Sequence, residues 1–466
     1  MNTIKLHTVC RRFLSDMHTP VRLYLQLRDH IPHCLLLESS DYQSKENSFS
    51  FICAKPIAEI SIQDHLIQYQ TPKGHRSEAI PPRTNVSSLL KTFCDQFEFS
   101  GGDEFQQFNG LFGHTNFDAV QYFEQIAIDH NKKQHDTPDL RYALYQYLIV
   151  INHYNNELFL LENIAEGAPC TLDKLEGYFK KGAITTYSFQ TEGSQTSNIN
   201  DQAFKDLVRA GKKHCAIGDV FQVVFSRQFQ QKYKGDDFNV YRSLRSINPS
   251  PYLYYFDYGS YKIFGSSPEA QLMIKDNKAS LMPIAGTYKR SGNASIDKKR
   301  AQRLLEDPKE NAEHVMLVDL ARNDLNRHTS NVAVAAYKEV HYYSHVMHLV
   351  SKVEGDIQDD CSIFRVFGDT FPAGTLSGAP KFRALELIQR YENQNRGFYG
   401  GSIGFFNPKG QLNQAIIIRS FMSTNQCLYF QAGAGVVIDS DEEKELKEVN
   451  NKLAALQKAL EMATKL

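Results

Sequence analysis

The chain has 466 residues, enough for a large core, and its 52 Lys and Arg nearly cancel its 53 Asp and Glu with no long block of either sign. Its field therefore gives no reason to expect nucleic acid or an anionic membrane as partner. The 8 cysteines are scattered without CxxC spacing, which argues against a disulfide scaffold, and neither a signal-peptide core nor an apolar run of membrane-spanning length is present, so a soluble cytoplasmic protein is expected.

Strand-like runs occur at Cys34 to Leu37, Leu144 to Ile151 and Glu157 to Leu161, within a mixed N-terminal part of residues 1–190. The polar stretch from Gln190 to Asp201 is poor in large apolar residues and reads as a linker. It would lead into a C-terminal part of residues 201–466, where the motifs concentrate. There a helix is expected over Ala203 to Ala216 and strands over Phe221 to Arg227 and Tyr261 to Gly265. Alternating strands and helices place the fold in the α/β or α+β class.

Asp307-Pro308-Lys309-Glu310 carries an N-cap, a first-turn proline and a glutamate three residues on, the pattern of a capping box. Capping accounts for Glu310 without a metal; Glu313, one turn further along the same face, is not accounted for in this way. Ser440 and Glu443 can cap a terminal helix whose Leu446, Val449, Leu453 and Leu456 form an apolar stripe. Glu445, Glu448 and Lys452 border that stripe. Each glutamate pair suits a Mg²⁺ site, because this ion takes one or two protein carboxylates and leaves room for substrate oxygens. Surface pairing of Glu448 with Lys452 is the plain alternative.

Other residues have the character of a site. The Gly-rich turn of FPAGTLSGAPK opens a helix and offers Thr375 as a donor beside free N–H groups. Arg419 interrupts the apolar run AIIIRSFM, and a buried arginine needs an anion or a cleft. Gly433 and Gly435 sit between strand-like runs, where glycine relieves strain or admits a ligand to the backbone. Glu269 ends a strand at a cleft-rim position, where partial burial would keep its proton. His348 lies in an aromatic, His-rich segment that includes His345 and is suited to proton transfer.

In order, FQVVFSR, NPSPY, SSPE, PIAGT, ENAEHVMLVDLARNDL, VMHLVS, GTLSGAPK, YGG, IIIRS, QAGAG and ELKEVNNK resemble the chorismate-utilising enzymes, and most closely their anthranilate synthase component I group. The likeness is detailed from about residue 200 to 460; further upstream, LLLES resembles the family's tryptophan-sensing motif. The resemblance implies an α+β fold of two large antiparallel-rich sheets packed face to face with helices outside. It also implies Mg²⁺-dependent amination of chorismate at C2, then loss of pyruvate to give anthranilate, under feedback inhibition by tryptophan.

Carried over by residue, the resemblance makes Glu313 and Glu448 metal ligands, with Glu310 and Glu445 behind them. Glu269 becomes the acid that protonates the leaving C4 hydroxyl, and His348 serves the aromatising step. Tyr399, Arg419 and Lys452 would hold substrate carboxylates. Thr375, the Gly433-Ala434-Gly435 backbone, and Gln222, Ala285, Gly286 and Thr287 would line the pocket. Tryptophan would meet Glu38 and Ser39 together with Asn248, Pro249, Ser250, Pro251 and Tyr252.

Water-adding relatives carry a lysine where this chain has Gln222, and aminodeoxychorismate synthases carry a catalytic lysine where it has Ala285; both positions favour direct attack by ammonia. No glutamine-hydrolysing segment is visible in the sequence, so a separate glutamine amidotransferase subunit is expected, in a heterodimer or heterotetramer. The nearest rival is aminodeoxychorismate synthase component I; a non-catalytic tryptophan-binding protein is a more distant one.

Overall fold

The computed structural model describes residues 3–39, 48–81, 84–102, 104–181, 184–343 and 346–466, the side chains of Lys181 and Thr287 excepted. Two long strands, Phe49–Gln63 and Leu140–Asn152, pair along their whole lengths and organise the rest. A register shift between Pro56 and Ala58 bends the pair, as an extra residue in one strand does. Each half then belongs to a different sheet.

In the first sheet, the Cys53 end of this pair joins Leu35–Ser39, and the sheet continues through Tyr252–Asp257, Tyr261–Ser267, Ser420–Thr424 and Cys427–Val436 to Gln222–Gly235. In the second, the Leu140 end joins Leu111–Thr115, then Ser402–Phe406, Leu412–Ile416, Ala270–Lys275, Lys278–Leu281 and Val346–Ile357. Pairing is antiparallel throughout, except between Ile4–Leu14 and Phe97–Ser100.

Leu37, Phe51 and Met422 of the first sheet meet Phe112, Ile403 and Ala415 of the second in one buried cluster. A larger cluster joins the outer faces to the helices, through Leu23, Leu90, Leu244, Leu385 and Leu453. The α+β architecture of two facing antiparallel sheets with helices outside is therefore the observed one.

The segment expected to be a linker is a strand. Phe189–Ser197 pairs with Gln222–Gly235 at the edge of the first sheet. Only Phe189 among its residues is buried, so the strand carries no apolar alternation and its hydrogen bonds come from its neighbour. Strands from both sides of this segment share both sheets, as in the pairing of Leu35–Ser39 with Tyr252–Asp257 and of Leu111–Thr115 with Ser402–Phe406.

Two helices matter most for the site. Pro308–Asn326 begins as its sequence dictates: the Asp307 side chain accepts from the N–H groups of Lys309 and Glu310. The terminal helix, Glu442–Ala463, buries Leu446, Val449, Leu453, Leu456 and Leu460, each burial contributing roughly 1.5–3 kcal/mol. Its cap is Asp441, which accepts from Lys444 N, and not the expected Ser440, whose hydroxyl accepts from Val437 N in the preceding turn. Glu442, Glu443 and Glu445 in the first turn favour the helix dipole.

Candidate active site

A cavity of 190 Å³ opens between the sheets and these two helices. Gln222, Glu269, Ala285, Gly286, Glu313, His348, Thr375, Tyr399, Arg419, Gly433, Gly435, Glu448 and Lys452 all line it. Three expected members stand apart from its lining. Glu310 and Glu445 are not in the lining, and Ala434, fully buried, points into the core because alternate strand residues face opposite ways. Of Thr287 only the backbone is described, pairing with His348.

Glu269 is 8 % exposed, and burial pushes its carboxyl up to about 8 against the pull of Arg419 and Lys452. Thr375 Oγ1 donates to Glu269 Oε1 at 3.0 Å. Glu269 is thus a protonated acid at neutral pH. His348 is the complement, since burial lowers its pKa to about 4 and leaves it neutral. Its Nδ1 lies 2.8 Å from Gly286 O, an acceptor only, so Nδ1 carries the proton and Nε2 the lone pair. Gly286 has φ of +68°, and a Cβ there would meet Glu310 Oε2 at 2.9 Å.

Arg419 lies in the break between Leu412–Ile416 and Ser420–Thr424, not within a strand as the apolar run implied. Its φ of +51° is left-handed, a strained conformation for a non-glycine residue. Among the described residues its guanidinium has no ion pair, and burial lowers its pKa. A half-buried cation of this kind is prepared for an anion. At Gly435 an added Cβ would fall 2.4 Å from Gln222 Nε2, so the glycine makes room for that amide.

Gln222 Nε2 donates to Glu313 Oε1 at 2.9 Å, which fixes the amide's orientation and leaves Oε1 buried without a partner. Lys452 Nζ bridges Glu448 Oε1 and Gly433 O, at 2.8 Å each. The surface-type pair between Lys452 and Glu448 and the cavity-lining role therefore coexist.

The four glutamates, from two helices, act on one another. Burial is the main cause that raises Glu310 to about 7 and also raises Glu313 and Glu445, and repulsion within the group adds to it: Glu313 acts on Glu310, and Glu448 on Glu313 and Glu445. Carboxylates from two helices are thus brought close enough to oppose each other's ionisation, which a cation would relieve. Among the described residues no group of three or more His, Cys, Asp or Glu side chains is placed to hold a metal ion by itself. An open set of carboxylates is what Mg²⁺ uses when water and substrate complete its shell.

Arg396 is a residue the sequence did not single out. It is 1 % exposed and donates to Leu376 O and Val224 O at 2.7 Å each, and to both oxygens of Glu392. Glu392 in turn accepts from Ser226 N and Oγ. Since Val224 and Leu376 line the cavity, this ion pair ties two of its walls together. The only trace in the sequence is the i,i+4 spacing of Glu392 and Arg396, just upstream of Tyr399.

A second cavity, of 880 Å³, is lined by Leu37, Ser39, Phe49, Phe51, Pro251, Tyr252 and Met273 among others, and shares Pro268 and Ile284 with the first. Of the residues expected to meet tryptophan, Ser39, Pro251 and Tyr252 are in it; Asn248, Pro249 and Ser250 are not. The side chain of Asn248 instead staples its turn to Ser250 Oγ and Ser266 Oγ. Glu38 lies on the opposite face of its strand, where Tyr241 and a bidentate Arg245 occupy its oxygens.

The sequence profile of the chorismate binding enzymes matches residues 32–458. The chain is 34% identical to the anthranilate synthase component 1 of Aquifex aeolicus over 99% of its own length and 95% of the relative's, and 35% identical to that of Thermus thermophilus over 97% of each. Anthranilate synthase component I from Streptococcus pneumoniae superposes with a TM-score of 0.75 at 29% identity, covering 96% of this chain and 99% of the other. The menaquinone-specific isochorismate synthase of Escherichia coli shares the fold at a TM-score of 0.76 and 17% identity, covering 98% and 95%. Matched from residue 32 to 458 and aligned nearly end to end with relatives a third identical, the chain belongs to the chorismate-binding enzyme family.

Proposed function

We propose that the chain is the chorismate-aminating component of an anthranilate synthase. The observation that carries this reading is one cavity holding a protonated Glu269, a neutral His348 and a half-buried Arg419 without an ion-pair partner among the described residues, beside acids from two helices. Arg419 and Tyr399 would hold the enolpyruvyl carboxylate, and Lys452 the ring carboxylate. Glu313 and Glu448 would hold Mg²⁺, with Glu310 and Glu445 behind them. Bound there, the ion would neutralise the ring carboxylate and draw electron density from the conjugated ring.

Glu269 protonates the C4 hydroxyl, which leaves as water while ammonia bonds to C2. The unpartnered Gln222 Oε1 can accept an N–H bond from that ammonia; an amide there has no ammonium with which to activate water. His348 Nε2 then takes the C2 proton, the C3–O bond breaks, pyruvate leaves and the ring becomes aromatic. Ala285 offers no amine for the route that ends at a 4-amino product.

Ammonia would come from a glutamine amidotransferase partner. An apolar rim next to Gln222 suits its docking: Ile217 and Phe221 are 73% and 72% exposed. Cys215 joins this rim, with Sγ 3.6 Å from Phe221 O and 3.7 Å from Val436 O. Tryptophan, as feedback inhibitor, would occupy the cavity of Ser39, Pro251 and Tyr252, where Pro268 and Ile284 form a wall common to both sites.

The test is purified chain with chorismate, Mg²⁺ and ammonium, followed by the fluorescence of anthranilate and by pyruvate release. Both should appear in equal amounts. A non-fluorescent product with pyruvate retained would overturn the reading.

A further inference from the structure

Beside the active-site cavity lies a smaller space of 40 Å³ that shares Glu269, Leu317 and Thr375 with it, room for about two or three water molecules. Its polar side chains are those of Glu269, Gln271, Asp324, Thr370 and Thr375; the rest of its lining is Gly, Ala, Leu, Met and Pro. Glu269 and Gln271 are buried, whereas Leu320, Asp324, Ala373 and Gly374 are half-buried. The space therefore runs from the buried acid toward the surface, between helix Pro308–Asn326 and the turn at Gly374.

One atom in it has no partner. Thr370 Oγ1 accepts from Gln271 Nε2 and donates to Phe367 O, at 3.1 Å each, and Thr375 Oγ1 donates to Glu269 Oε1. Lys381 Nζ, outside the lining, is committed to Asp324 Oδ2 at 2.7 Å and Thr370 O at 2.9 Å. With its Nε2 engaged, Gln271 keeps Oε1 as a buried acceptor without a partner. Both hydroxyls of the lining have given their hydrogen elsewhere. A water molecule supplies the missing donor and has Asp324 and Glu269 as further partners, the two to four polar groups that a buried water needs.

The inference rests on the reading above, in which Glu269 gives its proton to the C4 hydroxyl. The carboxylate left behind is, in the reverse direction, the base that would return a hydroxyl to C4. With substrate in the larger cavity, the smaller space is the side from which solvent reaches Glu269. A proton delivered there removes the base while the aminated ring is still bound.

We propose that this space holds a row of water molecules, ordered by Gln271 Oε1, through which Glu269 regains its proton from solvent at Asp324. A hydronium at the mouth gives up one O–H bond, each water passes a proton inward, and the Glu269 carboxylate gains an O–H bond; the sum is hydronium plus carboxylate to water plus carboxylic acid. Gln271 is thus a positioning residue that acts on the acid through water.

The test uses the full chain with chorismate, Mg²⁺ and ammonium, and two variants. Gln271→Met removes the acceptor at similar length, and Ala321→Leu fills the space without changing a polar group. Each should lower kcat by roughly tenfold, leave KM for chorismate unchanged and enlarge the solvent deuterium isotope effect on kcat, because proton return becomes limiting. A crystal structure should show water within hydrogen-bond distance of Gln271 Oε1. Parental kcat in both variants, a loss of kcat with the isotope effect unmoved, or a crystal in which Glu269 itself donates to Gln271 Oε1 with no water between would overturn the proposal. Failure of the unaltered chain to form anthranilate would instead overturn the reading on which it rests, and the crystal would still test the water row.

Discussion

Glu269 keeps its proton because its surroundings exclude water, while Arg419 and Lys452 act in the opposite direction and do not prevail. In the proposed reaction its acid form protonates the C4 hydroxyl, so turnover should decline as pH rises through about 8. Free ammonia must be held constant in the measurement, so that the nucleophile's own titration does not mask the decline. Glu269→Gln should lower kcat by roughly 10²–10⁴ and remove that limb. The same shift bears on stability. An unfolded chain ionises this group near 4.5, whereas the folded chain retains the proton to about 8. The stability that Glu269 contributes is therefore complete below about pH 4.5 and lost as pH rises through about 8. At this scale the sequence was informative where chemistry demands an unusual residue, such as an arginine in an apolar run. It was uninformative about direction. Glu38 and Ala434 face away from the sites assigned to them because a strand turns alternate residues to opposite sides.

The element that most needs its buried polar pair is the loop following Lys381–Tyr391, where Arg396 and Glu392 tie that helix to Val224, Ser226 and Leu376. Arg396→Met should cost about 3–5 kcal/mol in urea unfolding, because the Glu392 carboxylate is left buried without its cation. Replacing both residues by methionine should cost less than the sum of the single changes; strict additivity would mean the two do not act as a unit. Helices were legible because Asp307-Pro308 and the stripe of Leu446, Val449, Leu453 and Leu456 record their cap and their buried face. The strand Phe189–Ser197 was not, because an edge strand held by its neighbour's hydrogen bonds needs no apolar pattern of its own.

Over the whole molecule, the bent pair Phe49–Gln63 and Leu140–Asn152 joins the two sheets, and the cavity lies where helices from residues 308 and 442 onward approach from outside. The exposed pair Ile217 and Phe221, proposed as the docking rim for an amidotransferase, belongs to this scale. Phe221→Asp should leave ammonia-dependent turnover intact and abolish glutamine-dependent turnover in the presence of an amidotransferase subunit. Equal loss of both activities would place Phe221 in the cavity's own workings instead.

That acids more than a hundred residues apart serve one ion is the claim on which the account rests. It is tested most directly by titrating Mn²⁺, as a paramagnetic stand-in for Mg²⁺, into the chain saturated with chorismate and counting bound metal by electron paramagnetic resonance. One ion per chain is predicted, with binding lost in Glu313→Gln and equally in Glu448→Gln. Undiminished binding in either variant would contradict a single site shared by the two helices.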